Sequence, residues 1–317
     1  MTLRQLEVFL AIARAHGYRR AAEVLHTSQP ALSQHIRELE AELGARLFDR
    51  LGHGTVLTEA GRLLEERAQR VFATLTDVRE AVGALHGLQR GSLLIGASTT
   101  PGIYVLPALI GRFKDRYPGI DLRLRIANSR GIEEAIRSHE LDLGVVGGHG
   151  LAPGEECLAA GLVDELVLVV RPRHPWARSR ELAPARLAEE PLLVREEGSA
   201  TRQVTERTLE RAGIAWRAGM ELNHTEAIKQ GVMAGLGVAF VSVHAVRDEV
   251  ASRRLVAIRL RGLRIRRHFH AIHSEARTVS AGARAFLAML LEQAAGPART
   301  RIASSSSRRP AERKRRA

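Results

Sequence analysis

The 317-residue chain has one cysteine, Cys157, which excludes an intrachain disulfide framework and a multi-cysteine zinc site. No apolar run approaches the roughly 20 residues needed to cross a bilayer, and the amino terminus lacks the long apolar core of an export signal. The expectation is a cytoplasmic protein with no membrane partner. Enzymatic signatures are as scarce. "GLGVAF" lacks the third glycine of a dinucleotide loop, and HExxH, GxSxG and the glycine-rich phosphate loop ending in Lys-Ser/Thr do not occur. Cys157 has no identifiable partner base. His268, His270 and His273 form the most metal-like group. His268 and His270 can share a strand face, but His273 has the opposite parity and no Asp or Cys stands at ligand spacing nearby. No reaction, cofactor or metal is nominated, and a non-enzyme is expected.

What is present is an ordinary supply of core residues and an uneven charge. A 45% hydrophobic content and this length fit two or three compact units. Of the net +13, residues 297–317 hold +7, from eight Arg or Lys against Glu312, whereas residues 1–58 hold only +1. Charge alone therefore says little about whether the amino-terminal unit binds nucleic acid. The basic stretch 297–317 reads as a disordered tail, able to neutralise DNA phosphates or simply to solubilise the terminus.

Helical spacing opens the chain. "LRQLEVFLAIARA" places Leu3, Leu6, Phe9, Leu10 and Ala13 on one face, and "YRRAAEVLH" resumes with Ala21, Ala22, Val24 and Leu25. In "TSQPALSQHIRELEAEL", Thr27 or Ser28 can cap a third helix and Pro30 fits its first turn, with Ala31, Leu32, Ile36, Leu39 and Leu43 inward. "GARLFDRLGHGTVLT" follows as a glycine-punctuated β-wing. On this pattern Gln29, Ser33, Gln34 and Arg37 project outward, where amide, hydroxyl and guanidinium groups can read base edges or hold phosphates. The helix amides near Ser28 can meet a phosphate. The same face also suits an ordinary surface helix.

From Thr58 to Leu88 no proline interrupts the chain, and Leu64, Ala68, Val71, Leu75, Val78, Val82 and Leu85 alternate in four-three spacing. That is a coiled-coil or helix-hairpin seam, or a stripe packed on its own domain. A seam between two copies would set two recognition helices on a palindromic site.

After Arg90 strands alternate with helices, the signature of an open α/β fold. Ser98, Thr99 and Thr100 stand at a strand's carboxyl end, where such folds receive anions on hydroxyls and helix amides. Carboxylate, phosphate and sulfate all fit. A second unit begins near Gly161, and "RRHFHAIHSEARTVSAGARAFLAMLLEQA" reads as a returning strand and a terminal helix with Phe286, Leu287, Leu290 and Leu291 inward.

"AAEVLHTSQPALSQHIRELEAELGARLF", joined to "LTEAG" at this separation, resembles the winged helix-turn-helix of LysR-type transcriptional regulators. The resemblance extends over about residues 1–295. It implies an α/β chain with an all-helical plus β-wing amino-terminal domain: a winged helix-turn-helix over 1–58, a linker and dimerisation helix over 59–89, and a two-lobed effector domain like a periplasmic binding protein over 90–296. Lobe I would take about 90–161 and 267–296, and lobe II about 162–266. The partners implied are promoter DNA, a second copy in a homodimer or homotetramer, a small-molecule effector, and RNA polymerase as a further candidate. By the same resemblance Ala31, Ser33, Gln34 and Arg37 lie on the recognition surface, with Ser28, Gln29 and Pro30 at its start. The wing around Gly52, His53 and Thr55 approaches the flanking backbone. Asn128, Gly147 and Thr201 join Ser98, Thr99 and Thr100 around the effector. Similar proteins often carry a small polar cap where Tyr18 stands, and "GASTTPGIYVLPALIGRF" looks most like branches governing sulfur or carbon assimilation. Two other classes compete: a metabolic enzyme with a helical dimerisation arm, and a solute-binding protein serving a transporter.

Overall fold

In the computed structural model, residues 1–51, 54–84, 91–148 and 155–295 are described; Gly52, His53, Leu85 and the basic stretch 297–317 lie outside them, as does the side chain of Val82. The amino-terminal unit comprises α1 (Leu3–Ala15), α2 (Tyr18–Val24), α3 (Gln29–Leu43) and the hairpin β1 (Phe48–Leu51) with β2 (Gly54–Leu57). Thr2 and Gln5 cap α1 reciprocally, while Ser28 caps α3 by accepting from the Ala31 amide at 3.4 Å. Leu6, Phe9, Leu10, Ala13, Leu32, Ile36 and Leu39 meet in one core with Leu47 and Phe48.

Three residues expected inward are exposed instead: Leu3, Val24 and Leu43. Each sits in the first or last turn of its helix, where the apolar stripe runs on past the neighbour that would cover it. Tyr18 explains its own departure from a polar cap. Gly17 caps α2 without a side-chain bond, and the Tyr18 ring packs edge-on to Phe48 at 6.0 Å, so aromatic contact occupies the place of a cap.

The long helix α4 (Glu59–Ala84) is joined tightly to this unit. Thr58 Oγ1 accepts from the Gly61 amide at 3.0 Å and donates to the Arg46 carbonyl at 2.7 Å. A Cβ at Gly61 would collide with the Leu47 carbonyl oxygen, which gives the glycine of "LTEAG" a steric reason. Further along, the stripe divides. Ala68 is buried with Leu64 and Phe72 against the amino-terminal core, whereas Val71 and Val78 face out and Leu75 is half-buried.

In the α/β part, β3 (Gly91–Ser98), β4 (Ile120–Ala127) and β5 (Leu143–Gly148) run parallel, with α5 (Thr99–Tyr104), α6 (Leu106–Arg116) and α7 (Ser129–Arg137) in their connections. "GIYVLPALIGRFKDRY" forms the end of one helix and the whole of a second, because Pro107 has no amide to bond back to the Ile103 carbonyl and the helix breaks at Val105. The long strand β6 (Glu155–Val170) leaves this lobe and enters the second. There β7 (Glu181–Leu182), β8 (Leu192–Arg195), α8 (Ala200–Arg211), β9 (Ala218–Leu222), α9 (Thr225–Ala234), β10 (Ala239–Ser242), α10 (Arg247–Ala251) and β11 (Val256–Leu260) follow. β12 (Ile265–Ser274) returns antiparallel along β6, and α11 (Ala281–Ala295) closes on the first lobe. The sheet order is β4-β3-β5-β12-β6-β11-β7, with β10 also on β6 and β8–β9 a separate parallel pair.

Each lobe has its own core. Leu93, Ile95, Leu106, Phe113, Phe286 and Leu290 fill the first, and Leu168, Val170, Trp176, Phe240 and Ile258 the second. Leu291, expected inward, is exposed because it lies one residue past Leu290, about 100° further round α11.

Candidate functional site

Two constellations carry chemistry. At the start of α3 Ser28 and Gln29 are exposed; Pro30, Gln34 and Arg37 are exposed opposite the Leu32, Ile36 and Leu39 side, and Ala31 and Ser33 are half-buried on its flanks. Arg37 Nη2 donates to Gln34 Oε1 at 2.9 Å and Gln34 Nε2 to Glu38 Oε1 at 2.7 Å, a polar chain along the outer face. These donors exchange partners without unfolding anything. Thr55 behaves differently. Its amide bonds the His16 carbonyl at 3.3 Å, which ties the wing to the α1–α2 turn, and its Oγ1 is buried with no hydrogen bond among the described residues.

The second constellation lies where the two lobes meet. The carboxyl ends of the parallel strands β3, β4 and β5 bring Ser98, Asn128 and Gly147 to one edge, and the ends of β8 and β9 bring Arg195 and Thr225 to face them. Two buried guanidinium groups cross the seam. Arg267, 2% exposed, donates through Nη2 to Thr100 Oγ1 at 3.0 Å in the first lobe and through Nη1 to Thr201 Oγ1 at 2.9 Å in the second. Its Nε meets Asp164 Oδ2 at 2.8 Å. Arg195, 5% exposed, donates to Thr225 Oγ1 at 2.7 Å, reaches Thr99 Oγ1 at 3.4 Å, and pairs with Glu196. Gly147 is part of the design: a Cβ there would press on Arg267 Nη1 at 3.2 Å, so the missing side chain lets the arginine lie across β5.

The remaining predicted residues frame these cations. Ser98 Oγ accepts from the Gly147 amide at 3.2 Å, and so serves the lobe's own geometry. Asn128 caps α7 and reaches across the seam to the Glu197 carbonyl at 3.4 Å, beside an Arg130–Glu197 ion pair at 2.8 Å. On the other flank the Lys229 ammonium lies 5.6 Å from the Tyr104 ring centroid. Burial pushes the Tyr104 hydroxyl's pKa up although Lys229 opposes it. Burial, helped by Arg247 and Arg267 and opposed by Asp164, pushes His244 below the ordinary histidine value. A cavity of about 640 Å³ opens between α1, α4 and the first lobe, lined by Leu10, Arg14, Phe72, Leu94, Glu140 and Arg277.

Known proteins resolve what these two constellations belong to. Residues 3–62 match the bacterial regulatory helix-turn-helix protein, lysR family, and residues 86–295 match the LysR substrate binding domain. The RuBisCO operon transcriptional regulator of Allochromatium vinosum is 40% identical over 297 residues, covering 93% of this chain and 97% of that protein. The chain belongs to the LysR family. It is a DNA-binding transcription regulator with a two-lobed effector domain. The Synechocystis PCC6803 CcmR regulatory domain in complex with 2-PG is 27% identical, with a TM-score of 0.61 over 66% of this chain and 99% of that one. Full-length OxyR from Pseudomonas aeruginosa, 24% identical over 92% of this chain and 94% of its own, shares the fold at a TM-score of 0.72.

Set in this LysR frame, the residues that sequence reasoning missed are the charged ones: Arg195, Arg267, Asp164 and Glu196. One signal was present. In "IRRHFHA", Ile265, Arg267, Phe269 and Ala271 share a strand face and all are buried, so an arginine sits inside an apolar alternation. His268 and His270 lie with ring centroids 6.4 Å apart, and among the described residues no group of three metal-ligating side chains occurs. No described helix is long and apolar enough to cross a membrane.

Proposed function

We propose that this LysR regulator answers to a small anionic metabolite, with a phosphorylated organic acid the favoured class, bound where Arg195 and Arg267 meet Thr99, Thr100, Thr201 and Thr225. The observation that carries the reading is the burial of two guanidinium groups at the meeting of two lobes, each bonded to hydroxyls from both sides. Planar forks of this kind match phosphate and carboxylate oxygens, and hydroxyls that now accept from arginine can turn to donate to an anion. Binding at a seam also gives the effector unequal affinity for open and closed arrangements, the thermodynamic requirement for control. The CcmR complex with 2-phosphoglycolate supports this class.

Relatives named RuBisCO operon transcriptional regulators support a target promoter at carbon-fixation genes. Ser28, Gln29, Pro30, Ala31, Ser33, Gln34 and Arg37 form the DNA-reading face, with the wing beside it. Val71 and Val78, outward on α4, with the half-buried Leu75 between them, are the part of the stripe left for a second copy. The division into 1–58, 59–89 and 90–296 follows from the same roles. The protein acts in the cytoplasm and catalyses no reaction.

The test is binding of the full-length chain to the RuBisCO operon promoter of its source, at fixed salt, with and without 2-phosphoglycolate. Sequence-specific binding whose affinity or footprint shifts with the phosphate compound, and not with glycolate, is expected. Equal affinity for promoter and random DNA, or indifference to phosphorylated acids, would refute it.

A further inference from the structure

The two seam arginines are neutralised in different ways. Asp164, the partner of Arg267, has no exposed surface and is clamped again by Ser242 Oγ at 2.6 Å, so it cannot leave. Glu196, the partner of Arg195, is the next residue in the chain. Its carboxylate grips the guanidinium fork twice, Nε to Oε2 at 2.8 Å and Nη2 to Oε1 at 2.9 Å. Among the described residues nothing else bonds that carboxylate, and the side chain keeps 18% exposure, so a rotation carries it into water.

We propose that Glu196 is a built-in stand-in for the effector's anionic group: it occupies the Arg195 fork that the effector takes over, and so sets the affinity an anion must have to enter. This rests on the anionic-effector reading above. A bidentate carboxylate is what an anionic ligand would itself present to arginine. Being tethered, Glu196 competes at an effective concentration of at least the order of millimolar. A monocarboxylate brings the same charge and the same two oxygens, and loses to it. A phosphomonoester brings a second charge and a third oxygen, for which the Thr99 and Thr225 hydroxyls stand beside Arg195.

The experiment is calorimetric titration of the full-length chain with 2-phosphoglycolate and with glycolate, comparing wild type, Glu196→Gln, Glu196→Ala and the control Glu189→Gln. Glu189 is an exposed carboxylate paired with Arg186, so its variant makes the same charge change away from the seam. Removing a charged competitor tightens 2-phosphoglycolate binding roughly ten- to a hundredfold, and glycolate binding by a similar factor; the control binds as wild type does. Unchanged or weaker binding in both Glu196 variants, with wild type binding and the melting temperature preserved, overturns the stand-in role alone. Wild type that takes up neither ligand overturns the anionic-effector reading and this proposal with it.

Discussion

Asp164→Ala is the sharpest perturbation the seam offers. Asp164 is fully buried, Arg267 is 2% exposed, and their contact at 2.8 Å is reinforced by Ser242 at 2.6 Å. Removing the carboxylate leaves a buried guanidinium with the hydroxyls of Thr100 and Thr201 and the Phe269 ring but no counter-charge bonded to it, and leaves Ser242 without its acceptor. Breaking one side of a buried pair costs about 3–5 kcal/mol. For a domain of this size each kcal/mol lowers the melting temperature by roughly 2–4 °C, so the effector domain should melt roughly 6–20 °C earlier. Scanning calorimetry of the full-length chain, with fluorescence of the buried Trp176 in the second lobe as the local probe, checks this. The companion double variant Asp164→Ala, Arg267→Met removes both charges and should recover a large part of the loss, since the penalty lies in the orphaned charge. A fall of less than about 2 °C in the single variant, or a double variant worse than the sum of the singles, would refute the reasoning.

Other outcomes follow from neighbouring features. Gly61→Ala forces a Cβ against the Leu47 carbonyl, and should destabilise the amino-terminal unit by roughly 1–3 kcal/mol, read as faster amide exchange in α3 than in β3. Gln34→Ala should relax operator discrimination by about 1–3 kcal/mol at one base position, whereas Arg37→Ala should weaken binding to all sequences and reduce the salt slope by about 1; competition binding at several salt concentrations separates the two. His244 has a folded pKa below 6.5, from burial together with Arg247 and Arg267 against Asp164. The unfolded chain then takes up the proton at higher pH than the fold does, so its contribution is intact above 6.5 and is lost as pH falls from there toward the lower folded value. Across that window His244→Gln should flatten the decline of melting temperature with acidification; parallel curves for variant and wild type would count against it.

The three opening helices were legible because capping, proline placement and 3.6-residue spacing agree at Ser28, Pro30, Leu32, Ile36 and Leu39. The same spacing misplaced Leu43 and Leu291, since a periodic stripe carries no mark of where its partner ends. On α4 it could not tell the home-packed Leu64 and Ala68 from the outward Val71 and Val78. The rule that ligands gather at strand carboxyl ends singled out Ser98, Thr99 and Thr100, whereas Thr201 came from the family resemblance alone. Arg195 and Arg267 were not found, because a charged side chain is presumed solvated unless its partner is known, and theirs come from Glu196 at the end of β8 and from Asp164 on β6, 103 residues away from Arg267. For Arg267 only a tertiary contact supplies that partner.

β6 and β12 pair from Ile265 opposite Leu166 to Ser274 opposite Glu155, so the chain enters and leaves the second lobe on adjacent strands. That doorway is about 5 Å wide. Neither lobe is thereby a fragment that could be cut out intact, since each would lose half of both strands. An exchange with a relative's lobe, however, needs only two junctions lying side by side. The second lobe is an insert in the first, free to change its contents as long as the doorway keeps its register.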